Sequence, residues 1–321
     1  MQSSLSELSE NANTKSDSAP TATAILDLSA PGVSKKIAER ILNEIDRYCV
    51  ETYDGGHRKH LGASLIGRKC KRYLWYVFRW CKHEKTTGRQ QRLFNRGHRE
   101  EDRFVEWLRG IGFTVWTHDP DAPPNADGTQ PQYRISDVMG HFGGSLDGIA
   151  RFPPGWGIDE PVLLEFKTSG TGHKFNALKD SGMMLEKEDH FAQTSTYGYK
   201  YDFRFVLYLS INKNDDDLHI EIVKLNHNLG EQMIAKASII IGSQTPPPKL
   251  SESPTYQDCR YCPMRDICHE GASIERNCRS CEHATPVEGG QWWCAIHSPE
   301  ANAPIPSDTI PLACPSYKAI V

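Results

Sequence analysis

Apolar residues recur at three- and four-residue spacing from Ser34 to about Thr52, at Ile37, Ile41, Leu42, Ile45 and Tyr48 or Cys49. This period predicts a core-facing helix that begins after the break Ala30-Pro31-Gly32. A second helical stripe, Leu93, Phe94, Phe104, Val105 and Leu108, ends at Gly110 or Gly112 and turns into a strand. The aromatic run YLWYVFRW upstream of it reads as a further helix. In the middle of the chain the pattern changes to apolar runs bounded by turn residues. HFGGSLDGIARF and PVLLEFKTSG, joined by FPPGWGIDEP, read as an antiparallel hairpin, and FRFVLYLSI and LHIEIVKL, joined by NKNDDD, as a second. A helix carrying HFAQTSTYGYKY separates them, and a last helix runs from Glu231 to about Ser243, before the Pro-rich TPPPKL. This order predicts an α/β fold with a central mixed sheet flanked by helices and a small Cys-rich C-terminal region. Residues 1–30, polar and rich in Ser and Ala, read as a disordered tail, 31–270 as the main domain and 271–321 as a Cys-rich tail.

Composition adds three constraints. No apolar run approaches the roughly 18 to 20 residues of a membrane span, and the first residues lack the basic and apolar regions of a secretory signal, so a cytoplasmic protein is expected. In a reducing compartment, ten cysteines point to metal ligation rather than disulfides. The formal net charge of -4 divides into +10 between Arg58 and Arg103 and -14 elsewhere. In that basic segment Arg68, Lys69, Lys71, Arg72, Arg89, Arg92, Arg96 and Arg99 alternate with Tyr73, Trp75, Tyr76, Phe78 and Phe94. The cations suit phosphates, and DNA is the expected partner. The aromatics suit base stacking or a core, and the core is the favoured reading for them. No sequence-reading motif is recognisable, so recognition of ends or structure is expected.

The candidate chemistry lies in the strands. Asp147 sits in GGSLDGIA, and Glu165 and Lys167 sit in LLEFKTSG, where alternation puts both on one face of the strand. Two carboxylates at neighbouring strand positions can hold Mg2+ or Mn2+, and a lysine beside them can act on an attacking water, which favours phosphodiester hydrolysis. Taken singly, each fragment also fits an ordinary solvated β surface. Gln193 and Tyr197, four apart, share a helix face downstream, and upstream Gly97 precedes Glu101 by four residues.

In this order the motifs resemble those of the PD-(D/E)XK nuclease superfamily, with a Gln/Tyr pair typical of its RecB-like exonuclease branch. The resemblance covers residues 60–270. It implies that Asp147, Glu165 and the Phe166 carbonyl bind the metal and that Lys167 acts on the water. Gln193 and Tyr197 would then contact the DNA backbone or support the site. In that branch an early helix carries Gly-x3-His or Gly-x3-Glu. Gly97 and Glu101 fit the glutamate form and His98 is out of register, which leaves the third ligand open between Glu101 and His98.

Cys259-x2-Cys262-x5-Cys268 supplies three thiolates in one short segment, one short of a four-sulfur site. With Cys70 upstream of the core, the set resembles that of iron–sulfur nucleases of the AddB and CRISPR-associated type, which implies a 4Fe–4S cluster; zinc on the trio, and Cys278 as the fourth ligand, are the alternatives. Cys278-x2-Cys281, Cys294 and Cys314, with His283 and His297 as substitutes, suit a zinc ribbon-like site, and Cys49 and Cys81 read as core or helix-face residues. The expectation is a metal-dependent DNA exonuclease acting from DNA ends in phage or bacterial recombination or repair. Endonuclease capacity and self-association into a homo-oligomer are left open. No GxxxxGK[ST] loop is present, which implies a stand-alone enzyme or one working with a helicase, recombinase or annealing protein. The alternative is a non-catalytic DNA-binding scaffold that keeps the nuclease fold.

Overall fold

The computed structural model describes residues 26–170 and 172–321. The expected disordered tail therefore lies, up to residue 25, outside the described residues. The chain divides into two compact units between Tyr48 and Cys49. Most of α1 (Val33–Tyr53) belongs to the first. The expected helix is present, but Ile41, Leu42, Ile45 and Tyr48 are exposed and Cys49 is its one buried residue. The core-facing reading is thus corrected: a 3.6-residue period reports that a helix has an apolar face, not that something covers it.

The second unit contains the sheets and the Cys-rich segment together. Its helices are α2 (Lys71–Phe78), α3 (Gly88–Gly110), α4 (Gly172–Ser181), α5 (Met183–Glu186), α6 (Glu188–Tyr201), α7 (His227–Gly242), α8 (Gln257–Arg260), α9 (Arg265–Glu270) and α10 (Ser298–Ala301). Its strands are β1 (Leu61–Gly62), β2 (Thr114–Trp116), β3 (Arg134–Asp137), β4 (Phe142–Ser145), β5 (Gly148–Arg151), β6 (Val162–Ser169), β7 (Phe205–Asn212), β8 (Leu218–Lys224), β9 (Ala284–Val287) and β10 (Gln291–Cys294).

The main sheet runs β2-β5-β6-β7-β8, with β6 and β7 parallel and the other neighbours antiparallel. A parallel pair needs a long crossover, and α4, α5 and α6 supply it. β6 and β7 are central and buried on both faces, which explains their nearly unbroken apolar runs VLLEF and FVLYLSI. One face packs on α3 through Phe104, Val105 and Leu108, where Phe104 stacks on Phe166 at 5.0 Å. Those residues of the second predicted stripe are buried as expected, whereas Leu93 and Phe94 are exposed. The helix starts at a capping box in which Thr87 and Gln90 exchange side-chain and backbone hydrogen bonds, satisfying two of the free N–H groups at its end.

Two boundaries differ from the sequence reading. The segment HFGGSLDGIARF is not one strand: β4 joins a separate sheet of order β1-β4-β3, and β5 alone pairs with β6. The final helix starts at His227 rather than Glu231, because the Asn226 side chain caps it by accepting from Leu229 N at 3.1 Å. The second core lies between α2, α6, α7 and the smaller sheets and contains Tyr73, Trp75, Tyr76 and Phe78, so these aromatics are core.

Candidate active site

The register of β5 on β6 pairs Gly148 with Leu164, and extending it by one residue sets Asp147 opposite Glu165. The pairing is held locally by Phe166 N, which donates to Asp147 Oδ2 at 2.6 Å. On the other side of β6, Glu165 pairs with Tyr208 and Lys167 with Ser210 of β7. A polar row therefore crosses the sheet face opposite α3. Lys167 Nζ forms an ion pair with Glu165 Oε1 and donates to the Phe166 carbonyl at 3.2 Å. The Glu165 side chain is 1% exposed and that of Lys167 27%, so the lysine is the part of the pair that meets solvent.

From α6, Gln193 and Tyr197 project over this row, with Gln193 Nε2 donating to Tyr197 Oη at 3.4 Å. The Tyr197 hydroxyl occupies the space that a side chain on Gly144 would need, which is why β4 has no Cβ there. α3 supplies Glu101 from the opposite side. Glu101, His98 and Gly97 line a cleft of about 1130 Å³ together with Lys167, Thr168 and Phe94.

The electrostatics show how crowded the negative charge is. Burial, with the charges of Asp147 and Glu165, pushes Glu101 up to about 7. Burial and Asp147 push Glu165 up to about 7 as well, and burial raises Asp147. Burial opposes the charge on Lys167, yet Glu165 and Asp147 hold its ammonium above the usual lysine range. Burial and Glu165 keep Tyr197 protonated.

Does a divalent cation fit here? Glu165 Oε2 is buried without a hydrogen-bond partner, Oε1 has only the Lys167 ammonium, and three carboxyl groups share that one lysine. Such a set suits a hard oxygen-seeking ion. Of the two candidates for the third ligand, Glu101 interacts with Asp147, Glu165 and Lys167 together, whereas His98 acts on Asp147.

Two neighbours were missed by the sequence reading. His190 Nδ1 lies 3.0 Å from the Tyr208 hydroxyl, and burial with the charges of Lys167 and Lys187 pushes the imidazole down to about 3, so it stays neutral. His190, Gln193 and Tyr197 stand at i, i+3 and i+7, so the helical stripe was visible in the sequence.

The basic residues divide. Arg58, Arg68, Lys82 and Lys213 line the cleft. Arg96 borders it and donates to the Lys213 carbonyl at 3.0 Å, and Arg99 is exposed on the same helix. Lys71 and Arg89 are exposed, Arg92 is half-buried, and Lys69 pairs with Glu188 at 3.7 Å. Arg72 turns inward, donating to Tyr76 Oη at 2.9 Å and to the Pro247 carbonyl at 3.1 Å, so it braces α2.

The cysteines fall into two groups. Cys70, Cys259, Cys262 and Cys268 line one small cavity, and Cys278, Cys281, Cys294 and Cys314 line another with His283 and His297. Burial and the neighbouring Cys70, Cys259 and Cys268 raise the Cys262 thiol, while burial and Cys314, Cys281 and Cys294 push Cys278 up to about 11. The placement sets Cys70, not Cys278, beside the trio. Cys49 and Cys81 are buried. Among the described residues, as the side chains stand, no group of three or more His, Cys, Asp or Glu is placed so that it could hold a metal ion. No helix is long and apolar enough to cross a membrane.

No family model matches the chain, and no curated protein matches it. Among solved structures, one titled SSO0001 aligns with 74% of this chain and 100% of its own at 16% identity, with a TM-score of 0.40. An alkaline exonuclease, LHK-Exo from Laribacter hongkongensis, aligns with 62% of this chain and 90% of its own at 14% identity, with a TM-score of 0.37, and its complex with dAMP gives 0.33. Likenesses this distant carry no argument about chemistry.

Proposed function

We propose that this chain is a Mg2+- or Mn2+-dependent deoxyribonuclease of the exonuclease type. The observation that carries the reading is the pairing of Asp147 with Glu165 across two strands, with Lys167 on the same face and Glu101 facing them from α3. Asp147, Glu165, the Phe166 carbonyl and Glu101 would hold the ion. When bound, it polarises a phosphodiester and lowers the pKa of water beside it.

The remaining work falls to the chain's own groups. Hydrolysis joins a water oxygen to phosphorus and breaks one P–O ester bond, building negative charge on the phosphate oxygens. The ammonium of Lys167, held protonated by its two carboxylates, is placed to donate to that water and to the developing charge. Neutral Tyr197 and Gln193 form a buried wall beside the carboxylates that keeps bulk water from that side. Arg58, Arg68 and Lys213 give the cleft cations for successive backbone phosphates, whereas Lys82 is paired with Asp266 at 2.7 Å, and exposed Phe94 offers a face on which an unpaired base can stack. Recombination or repair of phage or bacterial DNA, in a cytoplasmic setting, is the context that this activity suits, with a helicase, a recombinase or annealing protein, or further copies of this chain as partners.

A 4Fe–4S cluster on Cys70, Cys259, Cys262 and Cys268 completes the reading. The donor set fits, since four cysteines face one cavity and a cluster, being several atoms across, is bound by sulfurs that stand further apart than those around one ion. It would tie the start of α2 to the segment after Pro248, so its role is to hold the cleft's wall rather than to move electrons.

End-labelled linear DNA incubated with Mg2+ or Mn2+ tests the activity. Loss of cleavage in Asp147→Ala and Lys167→Ala, with DNA binding retained, is expected. Undiminished cleavage in either variant would overturn the assignment, and DNA binding by the wild type with no metal-dependent cleavage would favour a scaffold instead. An anaerobic visible spectrum with about four irons per chain tests the cluster.

A further inference from the structure

We propose that Cys278, Cys281, Cys294 and Cys314 form a structural zinc site that clamps the C-terminal region onto the end of α2. The four cysteines come from three separate stretches of chain and line one cavity of about 200 Å³. Each is presented by a short backbone device. Cys281 N donates to the Cys278 carbonyl at 3.1 Å, closing the first turn, and Tyr317 N donates to the Cys314 carbonyl at 3.1 Å, closing a second. Cys294 ends β10, whose hairpin with β9 begins directly after the first turn. The final residues fold back on that turn: Ile320 N donates to the Ser280 carbonyl at 3.0 Å, and Lys318 N lies 3.5 Å from Cys281 Sγ, a backbone donor aimed at sulfur.

Something must hold this region, and its own core does not. Of the described residues from Ala295 to Val321, only Ser298 and Ile310 are buried, and one four-residue helix is the only regular element. A segment with so little apolar burial needs a staple, and four thiolates at a tetrahedral site are the usual one in a reducing compartment. The site closes with its ion, because ligands brought near one another by the fold are drawn together on binding. Four sulfurs complete the coordination, which leaves His283 and His297 as neighbours rather than ligands.

The clamp reaches the nuclease core through Arg279, the first of the two residues between Cys278 and Cys281. Arg279 is fully buried, with its guanidinium 4.4 Å from the ring centre of Trp80 and 4.7 Å from those of Phe78 and Trp292. It donates to the Lys59 carbonyl at 3.0 Å, while Arg79, at the end of α2, donates to the Ala284 carbonyl at 2.8 Å. At the other end of the same helix Cys70 accepts from Tyr73 N through its sulfur. α2, which supplies Tyr73 and Val77 to the cleft, is thus held by a cysteine group at each end.

The full chain, purified anaerobically without chelators, is assayed for zinc and iron by mass spectrometry. About one zinc per chain is expected, released by a mercurial reagent in step with blocking of four thiols. Cys294→Ser and Cys314→Ser should lose zinc but keep the iron of the other site, whereas His283→Ala and His297→Ala should retain both. Wild-type protein without zinc, or with a second set of irons in its place, overturns the proposal, as does full zinc retention in both cysteine variants. None of these readouts depends on cleavage, so the nuclease reading stands or falls separately.

Discussion

Replacing Glu101 by Gln probes the charge crowding that defines the site. In the metal-free protein the Glu101 carboxyl titrates near 7 instead of its ordinary 4.5, because burial and two neighbouring carboxylates oppose its ionisation. The sign follows from linkage. Between those values the unfolded chain has lost this proton and the folded chain still holds it, so stability falls as pH rises from about 4.5 to about 7 and is level beyond. The displacement corresponds to about 3 kcal/mol, an upper bound because water reaches the partly exposed side chain. Glu101→Gln keeps the shape and removes the titration. With chelator present, wild type and variant should unfold at similar urea concentrations at pH 4.5, and the variant should gain progressively up to about pH 7.5. Comparing the two cancels the opposing contribution of the buried imidazoles His141 and His190, which titrate far below the usual value. Added Mn2+ should then stabilise the wild type much more than the variant. A stability difference independent of pH, or equal stabilisation by Mn2+, would refute the placement of Glu101 among the ligands and return the role to His98.

Three further outcomes follow from other parts of the site. Gly144→Ala should cost about 1 to 3 kcal/mol, because its methyl group needs the place of the Tyr197 hydroxyl, and Tyr197→Phe should recover part of the loss; additive effects in a urea double-mutant cycle would contradict this packing. Replacing Arg68, Arg96 and Arg99 together by Ala should lower the slope of log affinity against log salt for DNA by about 2 to 3, measured by fluorescence anisotropy, whereas an unchanged slope would place the DNA elsewhere. Phe94→Ala should weaken binding of single-stranded DNA by about 1 to 3 kcal/mol and leave duplex binding nearly unaffected, and equal losses on both substrates would make Phe94 a general packing residue.

What the sequence made legible was local. β6, β7 and β8 announced themselves by composition and turn residues, and Glu165 and Lys167 by the two-residue period of a strand, since neither depends on distant parts of the chain. What it hid was decided by tertiary contact. HFGGSLDGIARF read as one strand of a hairpin, whereas Gly144 answers to the Tyr197 hydroxyl arriving from α6 and Gly143 to the Ile135 carbonyl of β3. Spacing alone left Cys70 and Cys278 interchangeable as partners of the Cys259 trio. The fold separates them by putting α2 between them: Cys70 caps its first turn, and the turn that begins at Cys278 sends Arg279 against Phe78 and Trp80 at its last. A buried arginine without a carboxylate partner is costly, and here the Lys59 carbonyl on Nη1 and three aromatic faces offset that cost only in part, since Nε and Nη2 have no hydrogen-bond partner. Arg279 thus ties the Cys-rich segment to α2, within the compact unit that also contains the sheets. The Pro-rich TPPPKL marks a change of composition, while contacts group the chain into two units divided within α1, between Tyr48 and Cys49.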